Sequence, residues 1–214
     1  MRLEEALKLI VITDKRLKPN VVESVREALE GGAPSIQLRL KESSTREMVE
    51  IGREVRRLTR DYGALYFVND RVDVALATDA DGVQLGAEDM PVWLVREKIA
   101  PNLIVGASVH SVEEAERAQA EGAHFMGAGS VYPTSSKKGA VVIGLRGLRE
   151  IVEASRIPVV AIGGINASNV REVMETGVVG VAVISAVMAS PDVRRATREL
   201  LEAVERALAE RRRL

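Results

Sequence analysis

Short apolar runs that stop abruptly at glycine or polar residues alternate along this chain with amphipathic stretches. By periodicity the runs are strands and the stretches are helices. The pattern predicts strands over Leu9–Thr13, Ser35–Leu40, Leu65–Val68, Gly82–Leu85, Leu103–Ala107, His124–Ala128, Pro158–Ile162 and Val179–Ile184. Most of these are apolar at every position rather than at alternate ones, Val159-Val160-Ala161-Ile162 for example. Parallel strands covered on both faces read this way. Eight strand–helix units predict an α/β fold, a single (β/α)8 TIM barrel over residues 1–214.

Helix ends support the same division. Gly31-Gly32 closes a helix from about Val21 to Glu30. Ser44 with Glu47, and Ser111 with Glu114, stand at capping-box spacing. Ser190-Pro191 marks a cap and a first-turn proline for a last helix ending near Ala209. Connections are short except for Ser130 to Leu145, which is rich in Ser, Thr, Lys and Gly. A long polar loop on the catalytic rim of a barrel is a candidate lid.

Composition narrows the function classes. The 214 residues, 46% of them hydrophobic, suit an ordinary globular core. A net charge of −1 argues against a nucleic-acid or membrane-surface partner. Without cysteine there is no disulfide, thiolate chemistry or cysteine-bound zinc, and two histidines do not make a histidine-rich metal site. The start, Met1-Arg2-Leu3-Glu4-Glu5, does not read as a signal peptide, and no apolar run reaches membrane-spanning length. The expectation is a cytoplasmic protein acting on small molecules, its oligomeric state open. Arg far outnumbers Lys and amides are scarce, a bias that suits ion-pair networks at high temperature.

Candidate chemistry gathers where the strands end. Gln37, Arg39 and Lys41 alternate, so on a strand they share a face. They make either a salt-bridged polar layer or an anion site, most simply for phosphate. Asn69-Asp70 ends the third strand and Asp89 follows the fourth, with no cationic sequence neighbour shared between the two acids. Both could be helix caps. As a pair they suit a hard cation such as Mg2+, which keeps its waters and bridges carboxylates to substrate phosphate. The segment Ser130 to Gly139 combines hydroxyls with Lys137 and Lys138. Gly163-Gly164-Ile165 and Ile184-Ser185-Ala186 follow the last two strands, the usual phosphate site of such barrels, or else form tight turns only. His110, near Ser108, is either an acid/base or a helix-start residue; His124, opening a strand, reads as structural. Two anion sites and one cation site fit a reaction between two phosphorylated molecules, one of them a diphosphate.

Taken together in order and spacing, these segments closely resemble the thiamine-phosphate synthase family over nearly the whole chain. The resemblance rests on Val11-Ile12-Thr13-Asp14, Gln37 to Lys41, Val68 to Arg71, Asp81 to Gly86, Asp89, Gly106 to Ser108, Gly127 to Thr134, Lys137, Ile162 to Ile165 and Val183 to Ser185. It implies a transferase that joins an aminopyrimidine methyl diphosphate to a thiazole phosphate, giving thiamine phosphate and pyrophosphate. It further implies that Arg39, Lys41, Asn69, Ser108 and Lys137 contact the diphosphate, with Arg39, Lys41, Ser108 and Lys137 the catalytic set. Asp70 and Asp89 would hold Mg2+ and Gln37 would address the pyrimidine. Thr134, Ser136, Gly164, Ile184 and Ser185 would surround the thiazole phosphate. The chain departs from many members at Gln84, Ala87 and Ser130, where they have His, Gln and Pro. Gln84 can still hydrogen-bond a pyrimidine but cannot carry a proton as imidazole can. A related thiazole tautomerase shares the Gly82 to Gly86 and Ser108 to Ser111 patterns, and would need His110 as proton carrier. A non-catalytic phosphate-binding barrel is the third reading.

Overall fold

A computed structural model describes residues 2–136, 139 and 141–211. Eight parallel strands close into one barrel in sequence order: β1 (Leu9–Ile12), β2 (Ser35–Leu38), β3 (Leu65–Asn69), β4 (Gly82–Leu85), β5 (Ile104–Val109), β6 (Phe125–Ala128), β7 (Val159–Ile162) and β8 (Gly180–Val183). Closure is made by β1, which pairs Ile10 with Ser35 of β2 on one side and with Ala182 of β8 on the other. The helices between them are α2 (Val21–Glu30), α3 (Thr45–Tyr62), α4 (Val72–Ala77), α5 (Val92–Leu94, continued by a π-helical turn Val95–Ile99), α6 (Val112–Ala120), α7 (Gly144–Ala154) and α8 (Val170–Met174). A short α9 (Ser185–Met188) and the long α10 (Val193–Arg211) follow β8. The leading helix α1 (Leu3–Leu7) has no counterpart in the sequence reading; five residues are too few to show a helical period.

The eight strands and the main helices stand where the pattern puts them, with ends shifted by one or two residues. One shift matters. The second strand stops at Leu38, so Arg39 and Lys41 belong to the loop above it rather than to a shared strand face. Conversely β5 runs on to Val109, so Ser108 is a strand residue. The last helix begins at Val193, not at Ser190: the Asp192 carboxylate accepts the Arg195 N–H at 2.8 Å, and the Ser190 hydroxyl accepts the Asp192 N–H. Both inner caps form as expected, Ser44 accepting from the Glu47 N–H and Ser111 from the Glu114 N–H.

Alternation along the strands makes two cores. Outward residues such as Val11, Ile36, Val83, Val105 and Val181 pack beneath the helices in the larger one. Inward residues Ile10, Ile12, Phe67, Phe125, Val160 and Ala182 fill the barrel, with Leu7 of α1 joining them. Phe67 and Phe125 meet edge to face, centroids 5.6 Å apart. Glycine makes this packing possible: a Cβ at Gly82 would lie 2.7 Å from the Phe67 ring, and one at Gly106 would lie 2.4 Å from Phe125. The interior is thus closed and apolar below, which leaves chemistry to the rim.

Candidate active site

Above that floor the inward positions turn polar. Gln37 on β2 and Gln84 on β4 are buried. The Gln84 side-chain amide donates to the Ser108 hydroxyl across neighbouring strands at 3.1 Å, while its carbonyl Oε1 is buried with no hydrogen-bond partner. A Cβ at Gly127 would stand 3.0 Å from the Gln84 amide nitrogen, so the glycine leaves space for that side chain.

The two carboxylates approach each other at the mouth. The Asp89 carboxylate accepts the Gly86 N–H at 2.6 Å, which fixes it in the β4 loop. Asp70 follows β3 in the left-handed region, φ 65°, and donates its own N–H to the Gln84 carbonyl at 2.8 Å. A non-glycine residue held there is a local cost often found at functional positions. Burial pushes the Asp89 carboxyl up, and the charge and hydrogen bond of Asp70 beside it add to the shift. Lys41 Nζ lies 2.7 Å from Asp70, and its charge opposes the upward shift at Asp89. The acids therefore do share a cation, which the sequence alone did not indicate because Lys41 comes from a different loop. Among the described residues no three His, Cys, Asp or Glu side chains form a metal cluster. Two close carboxylates, with room for water and phosphate oxygens, are nevertheless a donor set that fits Mg2+.

The long connection after β6 is tied down at both ends. Val131 and Tyr132 donate their N–H groups to the carbonyls of Ile162 and Gly163, extending the pairing past the strand ends. Ser130 donates to the Val141 carbonyl and accepts from the Ile143 N–H. The Tyr132 hydroxyl reaches Glu172 of α8 at 2.5 Å. Between these anchors Thr134 accepts the Ser136 N–H, and the Ser136 carbonyl accepts from the Arg39 guanidinium at 3.2 Å. Lys137 lies outside the described residues. Gly164 has φ 67°, and a Cβ there would stand 2.7 Å from Tyr132, so both backbone conformation and close packing call for glycine. Ile184 and Ser185 start the short α9 on the same rim.

One cavity of about 580 Å³ joins these parts. Gln37, Arg39, Lys41, Asn69, Asp70, Asp89 and Ser108 line it on one side. Thr134, Ser136, Gly164, Ile184 and Ser185 line it on the other. Every described residue singled out for substrate or metal therefore borders a single space. Gln84, a departure that can still hydrogen-bond a pyrimidine, borders the cavity as well, and so does Phe125, which the sequence does not single out; the signal is its place two residues before Gly127 on one strand face. His110 lines the cavity too, with Nδ1 3.0 Å from the Glu114 carboxylate, which also accepts the His110 N–H. Burial pushes Glu114 up, but the hydrogen bonds from His110 outweigh it and hold the carboxyl below its ordinary value. His124, by contrast, accepts the Val105 N–H through Nδ1, a backbone role.

The family model described as thiamine monophosphate synthase matches residues 9–187. A thiamine-phosphate synthase of Pyrococcus furiosus is 66% identical over 208 residues, which is 97% of this chain and 100% of that protein. One from Pyrococcus horikoshii is 63% identical over the same shares. A solved structure of thiamine phosphate pyrophosphorylase from Pyrococcus furiosus superposes with a TM-score of 0.91 at 65% identity, covering 97% of this chain and 100% of that one. A barrel whose rim residues meet in one cavity, matched at this identity from end to end, belongs to the thiamine monophosphate synthase family.

Proposed function

We propose that the chain joins an aminopyrimidine methyl diphosphate to a thiazole phosphate, releasing thiamine phosphate and pyrophosphate. The observation that carries this is the single cavity with the cations Arg39 and Lys41 on one side, hydroxyls and loop amides on the other, and a carboxylate pair at its mouth. Arg39, Lys41, Asn69, Ser108 and Lys137 take the diphosphate. Thr134, Ser136 and the loop amides at Gly164, Ile184 and Ser185 take the thiazole phosphate. Gln37 addresses the pyrimidine ring. The orphaned Gln84 carbonyl needs a donor, and the exocyclic amine of an aminopyrimidine is one.

The bond from the methylene carbon to the diphosphate oxygen breaks, and its electron pair leaves with pyrophosphate. The electron-rich pyrimidine stabilises the cation left behind, and the thiazole nitrogen supplies the lone pair for the new C–N bond. Bound at Asp70 and Asp89, Mg2+ supplies positive charge that favours the departing pyrophosphate. Arg39 and Lys41 are charges fixed in place before the reaction, so little reorganisation is needed as negative charge develops. The apolar floor of Phe125, Ile12 and Val160, with the loop after β6, keeps water from the cation.

Incubating the protein with both phosphorylated halves, with Mg2+ or with EDTA, tests the reading. Thiamine phosphate and pyrophosphate should appear together, and only with the metal. Proton exchange on a thiazole carboxylate phosphate, without coupling and indifferent to EDTA, would instead favour the tautomerase reading, which none of the relatives named above carries.

A further inference from the structure

The end of β1 carries two polar residues that the proposed chemistry leaves unused, and both are deeply buried: Thr13 is 0% and Asp14 3% exposed. Each is spent on the neighbouring loop. The Thr13 hydroxyl accepts the Arg39 N–H at 2.9 Å and donates to the Arg39 carbonyl at 3.1 Å. One side chain thus satisfies both backbone groups of Arg39, just past the point where β2 stops pairing as a strand. The Asp14 carboxylate then stands beside the Arg39 side chain, Oδ2 lying 3.5 Å from Nη1.

Asp14 has a second partner. Arg16 donates to it through its backbone N–H and Nε, both at 3.0 Å, and through Nη2 at 2.6 Å. The two arginines differ in what they need. The side chain of Arg16 is 58% exposed and keeps its water; that of Arg39 is 13% exposed and has lost most of it. Among the described residues, the acceptors near the Arg39 guanidinium are Asp14 and the Ser136 carbonyl. Ser136 sits on the long loop and carries no charge; of the two acids whose charge Arg39 feels, Asp14 and Asp70, Asp14 is the one in ion-pair contact, so it is the nearer compensation for a desolvated cation at the cavity wall.

We propose that Asp14 is a positioning residue for Arg39: with Thr13 holding the backbone, it fixes the guanidinium at the cavity so that the diphosphate meets a cation already aimed. The reason is orientation. An arginine free to turn must be ordered as the substrate binds or as the leaving group departs, and that cost falls on the reaction. The inference rests on the proposed contact of Arg39 with the diphosphate. The alternative is that Asp14 merely holds the loop after β1 through Arg16.

A double-mutant cycle separates these. Asp14→Asn, Arg39→Gln and their combination are assayed for kcat and KM in thiamine phosphate formation, and for pyrophosphate affinity by calorimetry with Mg2+; Arg16→Gln is the control. Asp14→Asn should lower kcat/KM roughly tenfold to a hundredfold and weaken pyrophosphate binding. In the Arg39→Gln background it should have little further effect, and Arg16→Gln should stay within about twofold of the parent, since no interaction with the substrate is lost. Additive losses at Asp14 and Arg39, or an Arg16→Gln variant that reproduces the Asp14→Asn loss, would overturn the proposal. If Asp14→Asn alone does not fold, the double variant decides, because it removes the stranded cation as well. Folding with the activity of Arg39→Gln supports the proposal, and failure to fold assigns Asp14 to the loop. Full activity in Arg39→Gln alone would instead refute the diphosphate role of Arg39.

Discussion

Asp89 answers two opposed demands. Burial and the nearby Asp70 carboxylate favour its neutral form, while the Gly86 N–H and Lys41 favour its charge. A divalent cation would resolve the conflict by neutralising both acids at once. Asp89→Ala is therefore expected to remove most coupling activity and to flatten the dependence of rate on Mg2+ concentration; normal turnover of the parent protein in EDTA would defeat the metal assignment. His110 makes a different test. Its Nδ1 faces Glu114, which orients the ring, yet the coupling needs no general base because the thiazole nitrogen brings its own lone pair. Acid–base groups typically contribute about a hundred- to ten-thousand-fold, so His110→Gln should cost roughly tenfold or less. A loss of about a thousandfold in a folded variant would mean that a proton moves in the limiting step. Asp14 sets an acid limit on stability. The hydrogen bonds from Arg16 hold its carboxyl below the ordinary value of 3.8. A lowered carboxylate contributes stability that is present above the unfolded-state value and lost as pH falls through the folded one. The thermal midpoint should therefore drop as the pH is taken below about 4, and Asp14→Asn should show a shallower drop.

At the scale of elements, the site depends on loops whose bases are locked. The loop after β6 is hydrogen-bonded to the β7 loop through Val131 and Tyr132, and closed on itself through Ser130. The two anion ends of the cavity should respond differently to substitution. On the proposed assignment, Lys137→Ala removes a charge needed most as pyrophosphate departs, so it should act chiefly on kcat. Ser185→Ala leaves the backbone N–H at the start of α9 in place and should be milder. Equal losses in kcat, measured in parallel under saturating substrates, would show that the hydroxyl of Ser185 takes part in the chemical step.

Across the whole molecule, the barrel interior is an apolar plug beneath a polar mouth. Phe67 and Phe125 are fully buried and fill the space that Gly82 and Gly106 leave open. Phe67→Ala should cost about 3–5 kcal/mol, read as a lower denaturant midpoint, because a rigid barrel cannot collapse around the void. Around this core the helices carry ion pairs, from the largely buried Arg56 with Asp81 just before β4 to the exposed Arg146–Glu150. No described helix is long and apolar enough to cross a membrane.

By itself the sequence determined the strand–helix order, the parallel sheet and the residues standing just past each strand. These follow from local periodicity and from turn and cap chemistry, which are written in neighbouring positions. Gly82–Leu85 and Val21–Glu30 fall where the pattern puts them. The tertiary structure alone decided how those residues face one another. The β2 pattern continues to Lys41, but the strand ends at Leu38, because its partner β1 stops at Ile12 and Thr13 turns its hydroxyl onto Arg39. The pairing of Lys41 with Asp70, and of Asp14 with Arg39, joins residues more than twenty positions apart in the chain. Their distances are set by barrel closure and register, which no local window contains.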